Sequence, residues 1–278
     1  MIIDSHHHFW NYSQAEYGWI GPDMGLLRRD FGPADLSTQL DAAGIDAAVS
    51  VQARQTIEET KWLLEVANDS PSIAGVVGWL PLADENLADQ LSRFSTDQNL
   101  VGVRHIVQDE TDDNFILGEA FNRGITMLAN HDLVYDILIY QKHLPQAAEF
   151  VDRHPEQPFV LDHIAKPIID GPPHEEWLSS ITELAKRENV TCKISGVATE
   201  VRLDDWNGDL LKPYIDHVIE AFGPNRLMFG SDWPVCLLRT NYRRWSDTVR
   251  EFISDLSESE QSAILGDTAA RVYRLPSN

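Results

Sequence analysis

Short apolar, β-branched runs recur along the whole chain and alternate with segments of helical periodicity. The runs predict strands at residues 1–5, 45–52, 73–80, 101–108, 134–140, 159–163, 190–194 and 226–230. Between them, residues 56–70, 143–155, 177–188 and 211–223 carry helical spacing; in the last, Tyr214, Val218, Ile219 and Phe222 fall on one face. Strand followed by helix, repeated along the chain, predicts a parallel α/β protein. Eight strands within ~250 residues fit a single (β/α)8 TIM barrel. A doubly wound sheet is the runner-up, but its first strand is usually followed by a glycine-rich turn. Here that turn reads "HHHFW".

No Gly-, Pro- or Ser-rich linker divides residues 1–278, so one domain is expected. Residues 11–36 read as an active-site loop with Tyr12, Tyr17 and Trp19. The last stretch, about forty residues, reads as helical and is expected to cap the barrel.

Composition narrows the partners. The chain has 44 acidic against 22 basic residues, a formal charge of -22. That balance opposes phosphate backbones and anionic membrane surfaces, so neither nucleic acid nor membrane is expected. A small-molecule substrate is expected instead, with the protein a monomer or small homo-oligomer. No apolar run is long enough to span a bilayer and no signal peptide is read at the N-terminus. Cys192 and Cys236 read as thiols of a reducing compartment, hence a cytoplasmic protein.

In such barrels the chemistry sits at the C-terminal ends of the strands. The first strand ends in "IDSHHHFW" (residues 3–10). Alternation puts His6 and His8 on one face and His7 on the other. Two imidazoles on one face suit one divalent metal or one substrate oxygen; buried structural histidines are the competing reading. The sixth strand ends "VLDHIAKP" and brings His163 and Lys166 to the same rim, and the eighth ends "LMFGSDWP" and brings Asp232 beside Trp233. On the fourth strand, "VGVRHIVQ", alternation groups Arg104 with Gln108 and turns His105 away. An arginine in a barrel mouth clamps a carboxylate or a polarised carbonyl; a rim salt bridge is the blander role. On the seventh, "CKISG", Lys193 and Ser195 share a face, and for Lys193 a structural ion pair is as good a reading as a ligand contact. His131, His143, His154, His174 and His217 fall in or beside predicted helices and loops and read as solvated or capping groups.

These stretches, with "CKISGVATE" and "RLMFGSDWPVCLL", resemble in strand order the amidohydrolase superfamily, and within it the amidohydrolase-2 branch of sugar lactonases. The resemblance implies a hydrolase of carbohydrate metabolism that opens an aldonolactone, such as L-fucono- or L-rhamnonolactone. It implies His6, His8 and Asp232 as ligands of one divalent metal, zinc above all, or the same residues working without one. Dinuclear members place a lysine or glutamate on the fourth strand and a histidine on the fifth. Here the fourth offers Arg104 and the fifth reads "VYDILIYQ", which leaves room for one metal at most.

Lactone opening needs a deprotonated water, a polarised carbonyl and a protonated leaving oxygen. The expected base is Asp232, its pKa raised by burial, with its proton passed on to the leaving hydroxyl. His6 and His8 polarise the carbonyl, and His163 polarises it or carries a proton. Arg104, Gln108, Lys166 and Lys193 bind substrate oxygens, while Trp10 and Trp233 offer flat faces to a sugar ring. Two other classes compete. A metal-dependent decarboxylase of an aromatic or unsaturated acid generally uses the fifth-strand histidine absent here. A non-catalytic ligand-binding barrel has no use for the His/Asp ring.

Overall fold

A computed structural model describes residues 1–276. Its eight strands are β1 (Ile3–His7), β2 (Ala47–Val51), β3 (Ile73–Gly78), β4 (Leu100–His105), β5 (Val134–Ile137), β6 (Phe159–Leu161), β7 (Val190–Ile194) and β8 (Leu227–Phe229). Each pairs in parallel with the next, in sequence order. Helices between them wrap the outside: α1 (Pro33–Ala43), α2 (Ile57–Asp69), α3 (Leu87–Phe94), α4 (Glu119–Leu128), α5 (Leu144–Asp152), α6 (Glu175–Ala185), α7 (Gly208–Phe222) and α8 (Tyr242–Phe252). This is the expected (β/α)8 barrel. No helix among the described residues is long and apolar enough to cross a membrane. Both cysteines are buried free thiols.

The strands are shorter than their apolar runs. β4 stops at His105, β5 at Ile137 and β6 at Leu161, and the chain then turns through short 3-10 segments (Val107–Asp109, Gln141–His143, Asp162–Ala165). The apolar residues beyond these strands leave the ladder, and Val107, Ile139 and Ile164 join the hydrophobic core, so Gln108 owes its position to a turn and not to alternation with Arg104. β1 starts later than predicted and runs through His7.

Closure depends on the segment just past β8. The His8 amide donates to the Trp233 carbonyl at 2.7 Å, and the Asp232 amide donates to the His6 carbonyl at 2.8 Å. Asp4, fully buried, accepts from the amides of His6 (3.1 Å) and Ser231 (2.8 Å) and from the Tyr242 hydroxyl (2.8 Å). The first and last strands are thereby fixed in register at the end where the histidines emerge.

The barrel interior is filled with alternating valines, Val49, Val77, Val134 and Val160 among them, and each fully buried side chain contributes about 1.5–3 kcal/mol. The chain after α8 adds α9 (Glu258–Ser262) and α10 (Thr268–Val272), and plugs the far end, as expected. Tyr273 reaches into the interior and donates to Asp136 at 2.8 Å.

Candidate active site

Past β1, alternation does what the sequence leads one to expect. His7 turns outward, bonds Ser50 Oγ at 2.9 Å and packs on Phe9. His6 and His8 turn inward, their Nε2 atoms 3.2 Å apart. Asp232 Oδ1 lies 3.5 Å from His8 Nε2 and 3.8 Å from His6 Nε2. His8 Nδ1 donates to the Val51 carbonyl at 2.8 Å, which leaves its Nε2 as a bare lone pair. His6 Nδ1 faces Asp162 Oδ1 at 3.3 Å and Lys193 Nζ at 3.2 Å, and its Nε2 is turned inward. The His8 Nε2 lone pair, the His6 Nε2, which also has Arg104 Nη1 at 3.3 Å, and the Asp232 oxygen converge within 3.8 Å of one another. The donor set fits a divalent metal with three protein ligands and an open fourth position.

A second group of donors, His6, Asp162 and His163, does not fit a second metal. Both Asp162 oxygens are already taken by cations of the protein: Lys193 Nζ lies 3.1 Å from Oδ1, and Arg104 Nη1 donates to Oδ2 at 3.0 Å. Burial alone would push this carboxyl up, but Lys193, His6 and Arg104 outweigh it and hold Asp162 well below the usual carboxylate range. Sequence reasoning missed Asp162. On a continuing strand it would face away from His163, but the strand has ended.

What replaces the strand is unusual. His163, Ile164, Ala165 and Lys166 all have left-handed backbones, with φ of 53°, 48°, 61° and 47°. A non-glycine residue pays roughly 1–2 kcal/mol to sit there, and runs of them are rare. The surroundings enforce the turn: Ile164 and Ala165 are fully buried, the Trp177 indole donates to the Ile164 carbonyl at 3.0 Å, and the Lys166 amide donates to the His163 carbonyl at 2.8 Å. His163 and Lys166 consequently open onto the same cavity.

That cavity, about 390 Å³, is the size of a small-ligand site. His8, Arg104, Gln108, His163, Lys166 and Asp232 line it, and His6 lies just beneath, wholly buried. Its remaining wall is part apolar (Met24, Leu138, Leu238) and part polar (Tyr140, Thr199, Glu200).

Three expected substrate contacts do not reach it. Lys193 lies below the floor, fully buried, 2.6 Å from Asp136 Oδ2 and 3.2 Å from His6 Nδ1; of its two readings, the ion pair is the one found. Trp10 is buried as a pillar of the loop after β1, its indole donating to the Arg29 carbonyl at 2.9 Å. Trp233 packs edge-on to Phe31, ring centroids 5.2 Å apart. Both rings are spent on folding that loop back over the barrel, and the loop presents Trp19, 39% exposed, to the cavity instead.

Arg104 is clamped rather than free. Besides Asp162 it bonds the Gln52 backbone carbonyl and lies 3.3 Å from His6 Nε2. His163 bonds Ser195 Oγ through Nδ1 at 2.9 Å, and burial lowers its pKa to about 4 against the pull of Asp232 and Asp162. Burial likewise holds His6 well below the ordinary histidine value. Asp232 departs from expectation: burial does push its carboxyl up, but His163, His8 and Lys166 outweigh it, so its pKa is lowered.

The glycine after Ser195 is dictated by this cluster. Gly196 has φ +63°, and a Cβ there would lie 2.6 Å from His163 Nδ1 and 3.0 Å from Asp232 Oδ2.

Known proteins share this architecture. An L-fucono-1,5-lactonase of Burkholderia multivorans is 42% identical over 290 residues, covering 99% of this chain and 97% of that protein. An L-fucono-1,5-lactonase of Burkholderia ambifaria is 34% identical, covering 98% and 95%. A crystal structure of an amidohydrolase from Burkholderia multivorans with bound zinc superposes with a TM-score of 0.94 at 41% identity, covering 99% of this chain and all of that one. The amidohydrolase family matches continuously over residues 3–275, and it is to this family that the chain belongs.

Proposed function

We propose that the protein hydrolyses the ring ester of a sugar-acid lactone, of the L-fucono- or L-rhamnonolactone type, to the aldonic acid. The observation that carries this reading is the convergence of His6, His8 and Asp232 at the floor of a cavity of small-ligand size. The relatives described as lactonases support it.

Asp232 is the base. With its lowered pKa it is ionised at neutral pH, and it orients a water and takes its proton as the bond to the carbonyl carbon forms. Neutral His163, accepting from Ser195 at Nδ1, presents Nε2–H to the carbonyl oxygen. Arg104, pinned by Asp162 and Gln52, holds a fixed positive charge at the edge of the same cavity. His6, His8 and Asp232 would hold one divalent ion, zinc being the natural candidate. Such an ion supplies Lewis-acid polarisation and a more acidic water. Trp19 offers an exposed aromatic face for the sugar ring, and Gln108 and Lys166 offer donors for its oxygens.

The test is a panel of aldono-1,4- and 1,5-lactones followed by acid release. The wild type is expected to open six-deoxy aldonolactones, and Asp232→Asn to lose about 10²–10⁴-fold in kcat with an unchanged circular-dichroism spectrum. A wild type inert to every lactone refutes the substrate class. A near-native rate in Asp232→Asn refutes the mechanism.

A further inference from the structure

An arginine and a lysine in one cavity would ordinarily suit a substrate that carries a carboxylate. The partners of these two point the other way. Arg104 is already paired, its Nη1 donating at 3.0 Å to Oδ2 of Asp162, a fully buried residue outside the lining. Lys166 has no hydrogen bond to Nζ among the described residues, but Glu200 Oε1 stands 4.0 Å from it. Against this one remaining cation the lining sets three carboxylates, Asp109, Glu200 and Asp232. Asp109 is exposed, whereas the Glu200 side chain is drawn in, 23% exposed.

Glu200 is a carboxylate short of donors. It closes the 3-10 segment Val197–Glu200 that follows β7. No hydrogen bond reaches its carboxylate among the described residues. Burial raises its pKa above the usual glutamate value; Lys166 opposes the rise and the charge of Asp232 adds to it. Burial and the charges of Asp109 and Glu200 raise the Tyr140 phenol as well, so both carboxylates stand on the Tyr140 side of the cavity. The gap between Glu200 and Lys166 is too long for a hydrogen bond and leaves both groups unspent. The ammonium can donate to a hydroxyl oxygen, and the carboxylate can accept from a hydroxyl hydrogen. A sugar hydroxyl offers both. A substrate carboxylate offers lone pairs alone, and meets Glu200 as a like charge in a partly desolvated site.

We infer that Glu200 is a specificity-determining residue that reserves the cavity for uncharged polyhydroxy lactones, accepting a hydrogen bond from a substrate hydroxyl and repelling any lactone that bears a carboxylate; this rests on the lactonase reading. A lysine alone on that wall would recruit anions. The Lys166–Glu200 pair carries no net charge and binds hydroxyls without doing so.

The experiment uses three lactones that share the ring and stereochemistry of an aldonolactone the wild type opens. One ends in the parent methyl or hydroxymethyl group, one in a carboxylate and one in a carboxamide. The amide matches the carboxylate in size and shape and differs in charge. All are assayed with the wild type and Glu200→Gln at about pH 8, where a glutamate is ionised even with a raised pKa. The wild type is expected to open the amide about tenfold or more faster than the carboxylate in kcat/KM. Glu200→Gln is expected to slow the parent lactone by about threefold to tenfold, through loss of a charged acceptor, and to speed the carboxylate about tenfold. The two rates thus move in opposite directions, which a role confined to folding cannot produce. Losses of equal size on all three substrates overturn the proposal. So does a wild type that opens amide and carboxylate equally well, a comparison that needs no variant. A wild type inert to every aldonolactone overturns the lactonase reading and this proposal with it, whereas an active wild type without discrimination by charge overturns this proposal alone.

Discussion

Gly196→Ala probes how tightly the proposed base, Asp232, and the proposed carbonyl donor, His163, are held. The added methyl would approach His163 Nδ1 to 2.6 Å, where ordinary contact begins at 3.4 Å, and Asp232 Oδ2 to 3.0 Å. Neither neighbour yields easily. His163 is fixed by Ser195 and packs against His6 at 4.4 Å between ring centroids, and Asp232 is fixed by its amide bond to His6. Relief requires a shift of about 0.8 Å in one of them, and a misplacement of that order costs roughly 10²-fold in rate. The left-handed backbone at φ +63° adds about 1–2 kcal/mol for a residue with a Cβ. In a barrel of this size that lowers Tm by roughly 2–4 °C. Gly44→Ala separates the two effects: its φ is +64°, but a Cβ there meets nothing within 4 Å. Both variants should lose stability by differential scanning calorimetry, and only Gly196→Ala should lose kcat/KM. If Gly196→Ala keeps kcat/KM within about threefold of wild type, the site is not held as described.

Glu59 gives a pH prediction away from the chemistry. It is buried, with Oε2 accepting from the amides of Ala53 and Arg54 and the Tyr17 hydroxyl near Oε1, and Arg54 and Arg104 supply the facing positive charge. Burial outweighs these and raises its pKa from 4.5 to about 7. The folded state then holds a proton that the unfolded chain releases, so this contribution is full below pH 4.5 and fades as pH rises to about 7, by up to about 3 kcal/mol. Denaturant titrations should show that decline in the wild type and a flatter profile in Glu59→Gln; parallel profiles would contradict it. Zinc added at a hundredfold excess over its Kd should stabilise the chelated protein by about 2.7 kcal/mol and leave His8→Ala unmoved. An unshifted wild-type melt would mean that His6, His8 and Asp232 act as donors without a metal.

Periodicity carried the fold, because apolar strands and amphipathic helices are local patterns. It also carried His6 and His8, which lie at the end of β1 where alternation still holds, and the position of Asp232, which follows β8 by three residues on a left-handed backbone, came from its place after the last strand. It failed beyond β6. Nothing in "DHIAKP" announces four left-handed residues, since no glycine marks them and the turn is enforced by Trp177 and the packing of Ile164 and Ala165. Asp162 was lost for that reason. Trp10 and Trp233 were misassigned because an aromatic beside a catalytic motif looks the same whether it faces a ligand or Phe31. Lys193 was read without its partners: Asp136 and Asp162 come from two other strands, and such pairing is invisible until the barrel is assembled.

The join between β1 and the segment after β8 has a consequence for synthesis. His6 and Asp232 stand more than two hundred positions apart in the chain and meet through the amide of Asp232 and the carbonyl of His6. A ribosome-bound chain that has exposed only its first seven strands therefore carries both imidazoles without their carboxylate. On the proposed mechanism such a chain is expected to be catalytically silent, since it lacks one of the three converging side chains. If Asp232 is the base proposed above, turnover is expected only once the final strand docks, so its appearance during translation or refolding would mark completion of the whole ring and report barrel closure.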